Sequence, residues 1–398
     1  MEFVVHRIKE IAKLYSGGDA PEILSDVRTK ECCVPVFSNG LSQEGLYGYT
    51  NKAQIFENAI TISARGTIGA VFYRREPFLP IVRLISLIPN TKLVSTDFLY
   101  YYLKSIHIDG FGTSQQQLTI PFLGKKKIRI IKDIPTQKKI ASILSTYDDL
   151  IEKNNRKIAI LQEMAEELYK EWFVRFRFPG YKTAKFKDGI PDDWETKPLS
   201  EWLVDDFNGG WGNEVLTQKT PYEAFVIRGT DIEDVKKAII DNVPCRFHKS
   251  NDINTKLLKE YDVVLELSNG NINNIGRTLF IDKQILGWFD KVMCASFCKT
   301  LRFKDKRTAF LIWQYINYLQ NSGLMSYYKN TGANGINNFN FKRFLKMQIS
   351  VPRHLDCVDD LMRYYNIISL LNGANYYLRK QRDLLLPRLM SGKLEVKA

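Results

Sequence analysis

Apolar side chains return at steps of four and three residues over one long stretch. From Pro135 the seam reads Ile140, Leu144, Tyr147, Ile151, Asn154, Ile158, Leu161, Ala165, Leu168 and Trp172. This is an a/d heptad stripe of about five heptads with one polar interruption, at Asn154. Pro135 sets a helix start, Lys and Glu fill the outer faces, and neither Gly nor Pro breaks the pattern before Pro179. At ~1.5 Å per residue the helix is roughly 54 Å long. One a/d stripe is not stable alone in water, so a partner helix is required. A second seam follows Pro352: Cys357, Leu361, Tyr364, Ile368, Leu371, Asn375, Leu378, Arg382, Leu385 and Leu389. It keeps the same heptad phase and also carries one Asn. Antiparallel packing with centres aligned sets Leu144 opposite Leu385, Ile151 opposite Leu378 and Asn154 opposite Asn375. A buried Asn–Asn pair fixes register and orientation at some cost in stability.

Elsewhere the pattern is of short runs and turns. In residues 1–132, Ile8–Leu14 reads as a short helix or strand ending at Gly17-Gly18. Ala59–Ala64 and Ala70–Tyr73 flank the turn Arg65–Gly69, Ile81–Ile88 is a continuous apolar run, and Phe98–Lys104 reads as a helix. Gly124–Ile130 is strand-like. Residues 173–193 lack periodicity and read as an extended connector. From Trp194 the first pattern restarts. Ser200–Gly210 answers Ile8–Gly18, Val263–Phe280 answers Ile60–Phe72, Ala309–Gln320 answers Phe98–Ser105, and Thr331–Pro352 answers Gly112–Pro135. The expected fold class is α+β: two domains of mixed structure, two long helices in an antiparallel coiled coil, and an internal pseudo-two-fold duplication. The expected segments are 1–132 (domain), 133–178 (helix), 179–351 (connector and domain) and 352–398 (helix).

Charge narrows the partner. Lys and Arg total 57 against 44 Asp and Glu, a net charge of +13 and a pI near 9.2. That points to a polyanion, nucleic acid first. The six cysteines have neither paired C-x-x-C spacing nor a nearby His at zinc-site spacing, and read as reduced and structural. The opening MEFVVHRIKE is too short and charged for a secretory signal, and no run of 18 apolar residues exists, so no membrane is expected and a cytoplasmic location is the default.

Catalytic motifs are missing. Gly124-Lys125 and Gly392-Lys393 lack the upstream Gly and the following hydroxyl of a phosphate loop. No G-x-G-x-x-G follows a strand, and the N-P-P-[YF] stretch of an adenine methyltransferase is absent. His6, His107, His248 and His354 stand singly. Asp192, Asp193 and Glu195 echo a metal nuclease, but such carboxylates converge from separated positions, whereas these crowd around Trp194. Recognition chemistry is abundant instead. Ser114, Gln115, Gln116 and Gln117 share one loop, and Asn334, Asn337, Asn338 and Asn340 share the corresponding one. Asn and Gln pair with adenine edges, and Arg or Lys with guanine. Lys125, Lys126, Lys127 and Arg129, with Lys342, Arg343 and Lys346, suit phosphates. Arg65 and Thr67, and Asn269, Asn271 and Arg277, are further DNA-contact candidates.

Three stretches together, Ile134–Phe173, the connector Phe176–Glu195 and the ending Leu378–Val396, resemble the specificity (S) subunit of type I restriction–modification systems. Gly112–Ile130 resembles the end of a target recognition domain of that family, and the resemblance spans essentially the whole chain. It implies a non-catalytic reader whose two domains each bind half of a split double-stranded DNA target. It implies, too, a coiled coil (Leu144, Ile151, Asn154, Ile158 and Leu161 against Leu361, Ile368, Asn375, Leu378 and Leu385) that spaces them. Two methyltransferase (M) subunits would supply S-adenosylmethionine chemistry on adenine N6 after base flipping. Two restriction (R) subunits would bind ATP and Mg, leaving this chain without a cofactor. A spacer of fixed length implies a fixed gap, since a DNA turn is ~34 Å. Gly332–Asn338 departs from the Gly112–Gln117 pattern, and Cys357 and Arg382 stand on the second seam. The rival from another class is an interaction scaffold of two binding modules on a coiled coil.

Overall fold

The computed structural model describes residues 2–110, 117–331 and 337–396. They form two compact units, Met1–Leu150 with Leu378–Ala398, and Ile151–Tyr377. Two long helices, Ile134–Tyr169 (36 residues) and Asp356–Met390 (35 residues), contribute part of their length to each unit.

In the first unit, alternating apolar residues build a four-stranded antiparallel sheet in the order 12–16, 85–89, 59–62, 71–74. Ile60, Ile62, Ile85 and Leu87 are buried in it and pack on the helix Thr96–Ser105 through Phe98, Leu99 and Leu103. A smaller sheet runs 46–50, 34–37, 79–80, with 34–37 antiparallel to the first and parallel to the last. A ribbon pairs Phe3–Arg7 with Lys127–Ile131, Phe3 facing Ile131. The run expected at Ile81–Ile88 is divided: a turn at Val82-Arg83, both with positive φ (52° and 61°), separates Leu79–Pro80 from Ile85–Pro89. The expected strand Gly124–Ile130 begins three residues later, because Ile120–Lys125 closes a short helix first.

The second unit repeats this order. Its four-stranded sheet runs 203–208, 298–303, 263–266, 278–280, and its smaller sheet runs 245–248, 222–227, 292–294 with the same antiparallel and parallel pairings. Trp194–Pro198 and Gln348–Pro352 form the ribbon. Lys306–Asn321 takes the place of Thr96–Ser105. Additions specific to this unit are the helices Ile232–Lys236, Ser250–Lys256 and Lys283–Trp288, and a sheet of Ser268–Asn269, Asn337–Phe339 and Lys329–Thr331. The stretch 173–193 is more structured than an extended connector. A π-helical turn, Lys170–Val174, and a hairpin, Phe186–Lys187 with Ile190–Pro191, bring Phe173, Phe176 and Phe178 within 5.2–5.8 Å of the buried Trp194. Aromatic burial replaced periodicity as the ordering force.

Every described seam residue of the two helices is buried or half-buried. In the second unit Asn154 Nδ2 donates to Asn375 Oδ1 at 2.8 Å, and Asn375 Nδ2 donates to Asn155 Oδ1 at 3.0 Å. Farther along the first helix, Tyr169 lines one cavity with Tyr365, so the helices run antiparallel there. In the first unit Ile140 and Leu144 share a core with Leu385, Leu386 and Leu389. Arg382, polar on an apolar seam, ion-pairs with Asp148, whose other oxygen accepts from Tyr101 Oη at 2.6 Å. Burial first, then Asp148, raises the Tyr101 pKa and keeps it a donor. The domains grip these helices with buried polar contacts: Gln137 binds the Ser95 N–H and the Ile131 carbonyl, while Asp282 accepts from Tyr365 and Ser369.

Asn375→Leu leaves Asn154 and Asn155 without their partner and should cost about 1–3 kcal/mol. Asn154→Leu with Asn375→Leu, which removes both sides of the pair, should regain part of that loss. Thermal unfolding of Asn154→Leu, Asn375→Leu and the double variant measures it. A double variant as unstable as the sum of the singles would show that the pair does not act as a unit.

Candidate nucleic-acid interface

Equivalent backbone hydrogen bonds align the two units residue by residue. The Leu118 N–H donates to the Ala64 carbonyl at 2.9 Å, and the Phe339 N–H donates to the Leu267 carbonyl at 2.8 Å. Each bond lays the segment after a polar loop against the end of a central strand. It follows that Arg65 corresponds to Ser268 and Gln117 to Asn338. Both pairs are in contact: Arg65 Nη2 donates to Gln117 Oε1 at 3.1 Å, and Ser268 Oγ to Asn338 Oδ1 at 3.1 Å. Arg65 and Asn338 are exposed, Gln117 and Ser268 half-buried. Two loops far apart in each sequence thus present one exposed polar pair per unit.

The frame beneath the pairs is built differently. In the first unit the turn Arg65–Gly69 depends on Gly69 (φ 85°), where a Cβ would lie 2.7 Å from the Ile108 carbonyl oxygen. In the second the frame centres on Glu266, which is 1% exposed. Its carboxylate accepts from Asn269 Nδ2 at 2.7 Å and from Arg277 Nε at 2.9 Å, and Arg277 also donates to the Gly229 carbonyl at 2.9 Å. A Cβ at Gly229 would sit 2.0 Å from Glu266 Oε1, so only glycine fits there. Arg277 is therefore turned inward, with its Nε and Nη2 donors held by protein acceptors. Asn269 accepts from the Asn271 N–H at 2.8 Å, and Asn271 from the Asn273 N–H at 3.0 Å; their carbonyl oxygens build the loop. Asn337, 8% exposed, donates to the Gly270 carbonyl at 3.1 Å.

The cations lie near these segments. Lys125 ends the helix Ile120–Lys125, Lys126 donates to the His107 carbonyl at 3.1 Å, and Lys127 is exposed at the start of its strand. Thr67 is half-buried, and its hydroxyl has no hydrogen-bond partner. In the second unit Lys342 and Arg343 are exposed on Phe341–Leu345, with Arg343 stacked 3.2 Å over the Tyr327 ring. Asn340 caps that helix by accepting from the Arg343 N–H at 3.1 Å. Ser114, Gln115, Gln116 and Asn334 lie outside the described residues.

Other chemistry is sparse. Among the described residues no three His, Cys, Asp or Glu side chains converge as metal ligands. Glu195, from the acidic cluster, ion-pairs with Lys197 at 2.7 Å. The six cysteines are free thiols, and burial pushes Cys294 up to about 11 and Cys298 well above the ordinary thiol range. No described helix is long and apolar enough to cross a membrane. Sequence reasoning missed Glu266, whose signal is a carboxylate closing the apolar strand Val263–Glu266, and the turns that follow Ile81 and Ala295.

Residues 1–163 match the family model described as type I restriction modification DNA specificity domain. A putative type I specificity subunit of Mycoplasma pneumoniae is 35% identical over 150 residues, covering 37% of this chain and 40% of that relative. The C-terminal part of another from the same organism is 37% identical over 108 residues, covering 26% of this chain and 73% of the relative. The matched stretches span less than half the length of the first two curated relatives, 40% and 45%. In fold, the crystal structure of a type I restriction–modification S subunit from M. genitalium aligns over 100% of this chain and 97% of its own, with TM-score 0.62 and 15% identity. With the helix seams and the repeated sheet order, these matches establish that the chain belongs to the family of type I restriction–modification specificity subunits.

Proposed function

We propose that this chain is the DNA-reading subunit of a type I restriction–modification complex. Each unit reads one half of a split double-stranded target. The chain performs no catalysis itself and docks two adenine-N6 methyltransferase subunits, which bring S-adenosylmethionine, and two restriction subunits, which bring ATP and Mg.

The observation that supports this reading is the recurrence of one polar pair, Arg65–Gln117 and Ser268–Asn338, at the same place in both units. The guanidinium fork of Arg65 matches guanine O6 and N7, and the Gln117 and Asn338 amides match adenine N6 and N7. Exposed Lys125, Lys127, Lys342 and Arg343 flank the pairs in sequence and suit phosphates, which position the reader without specifying sequence. Different side chains at equivalent places imply different half-sites, hence an asymmetric target. DNA is favoured over an acidic protein because the net charge of +13 accompanies flat hydrogen-bonding side chains.

Binding of the complex of this chain with its methyltransferase to duplex DNA, measured across salt concentrations, tests the reading. Affinity should fall steeply, with a log–log slope of roughly −0.9 per phosphate contacted. Gln117→Ala should relax specificity by about 1–3 kcal/mol at one half-site, and Asn338→Ala at the other. An assembled complex with weak, salt-insensitive DNA affinity would instead mark the chain as a protein scaffold.

A further inference from the structure

Beside each polar pair stands a two-residue turn that aligns between the units as closely as the pairs do. The Ile81 N–H donates to the Phe37 carbonyl at 2.9 Å, and the Ala295 N–H to the Ile227 carbonyl at 2.9 Å. Leu84 N–H closes on the Ile81 carbonyl at 3.0 Å, and Cys298 N–H on the Ala295 carbonyl at 2.9 Å. Gly17 N–H reaches the Leu84 carbonyl at 2.8 Å, and Gly209 N–H the Cys298 carbonyl at 3.1 Å. Val82 therefore matches Ser296, and Arg83 matches Phe297.

Both turns are tied to the residue preceding the reader pair. In the second unit the Leu267 N–H, next to Ser268, donates to the Phe297 carbonyl at 2.9 Å. In the first unit Asn39 makes the link: its Nδ2 donates to the Val82 carbonyl at 2.7 Å, and its Oδ1 accepts from the Ala64 N–H, next to Arg65, at 2.6 Å. Arg83 and Arg65 line one cleft with Gly17 and Asp19. Positive φ at a β-branched valine is rare and unfavourable, yet the hydrogen bonds to Gly17, Gly18 and Asn39 hold it. At the tips, Val82 is 46% exposed and Phe297 70% exposed. A phenylalanine on a pinned turn with most of its surface in water gains little from its own unit. The ring is free to meet a partner.

We propose that these turns are DNA-contact elements of the two readers, and that Phe297 makes an apolar contact with a base in the half-site read by the second unit. This rests on the DNA-reading function proposed above. The partner is duplex DNA rather than protein because the turn is continuous with the reader pair and because the equivalent position carries a cation, Arg83. One exposed ring on a narrow turn suits either a thymine methyl in the major groove or the gap of a partly unstacked base step. Arg83 contacts a phosphate at the equivalent place.

The test uses the complex of this chain with its proposed methyltransferase partner, and duplexes of the sequence that the complex methylates in cells. Phe297→Ala should weaken binding to that duplex roughly ten-fold or more. It should leave binding to an unrelated duplex and the salt slope unchanged, and Phe297→Trp should keep most of the affinity. Arg83→Ala should lower the salt slope by about 1 for both duplexes. Thymine-to-uracil substitution that abolishes the Phe297→Ala difference identifies the methyl contact. A 2-aminopurine signal that rises with wild-type complex and not with Phe297→Ala identifies the unstacked step. Equal binding by wild type and Phe297→Ala overturns the inference, as does failure of Phe297→Ala to assemble with the methyltransferase despite normal thermal unfolding, which would make Phe297 a protein contact. If wild-type complex does not distinguish the two duplexes, the DNA-reading function itself is wrong, a result separable from the others.

Discussion

One hydrogen-bonded contact between asparagines on two helix seams sets the register on which the second unit depends. Leucine and isoleucine pack against each other almost as well after a slip of one heptad, so apolar burial alone does not choose an alignment. Asn375, 1% exposed, does choose, since any other alignment buries its amide without Asn154. In the first unit Asp148, Arg382 and Tyr101 do the same work with charge. Asn154, Asn375 and Arg382, all on the seams, are each met by a partner, which turns a greasy stripe into an address.

Within the units, the frame is carried by backbone and the variety by side chains. Gly17 and Gly209 show what the frame demands. A Cβ would lie 2.8 Å from the Ile81 nitrogen at the one, and 2.0 Å from the Cys294 carbonyl oxygen at the other. Only glycine lets those chains approach so closely. Around them the same backbone hydrogen bonds hold Arg65 with Gln117 in one unit and Ser268 with Asn338 in the other. A unit built this way can change its side chains without disturbing the bonds that position them.

The sequence made some of this legible and hid the rest. The helices and their alignment could be read because a heptad pattern repeats over a long stretch and because each seam holds one asparagine at a matching place. The duplication was visible through Gly-Gly pairs and apolar runs that recur in order. The turn at Val82-Arg83 was hidden inside the run from Ile81 to Ile88, because nothing local marks a valine with positive φ; distant residues, Gly17, Gly18 and Asn39, impose it. The inward turn of Arg277, a DNA-contact candidate in the sequence, was hidden for the same reason. Its partner Glu266 closes an otherwise apolar strand, and Gly229, which makes room for that carboxylate, is remote in sequence. The polar pairs were half visible: Gln117 and Asn338 were singled out, but only the fold shows which residues they meet.

The most direct measurement is a single-molecule map of N6-methyladenine in cells expressing this chain with its proposed methyltransferase partner. Two short conserved half-sites of different sequence, separated by a constant number of unspecified bases, is the expected result. A contiguous motif, or two identical half-sites, would contradict the assignment of one half to each unit. Unmethylated DNA with the complex intact and the methyltransferase active on other specificity subunits would contradict the reader itself.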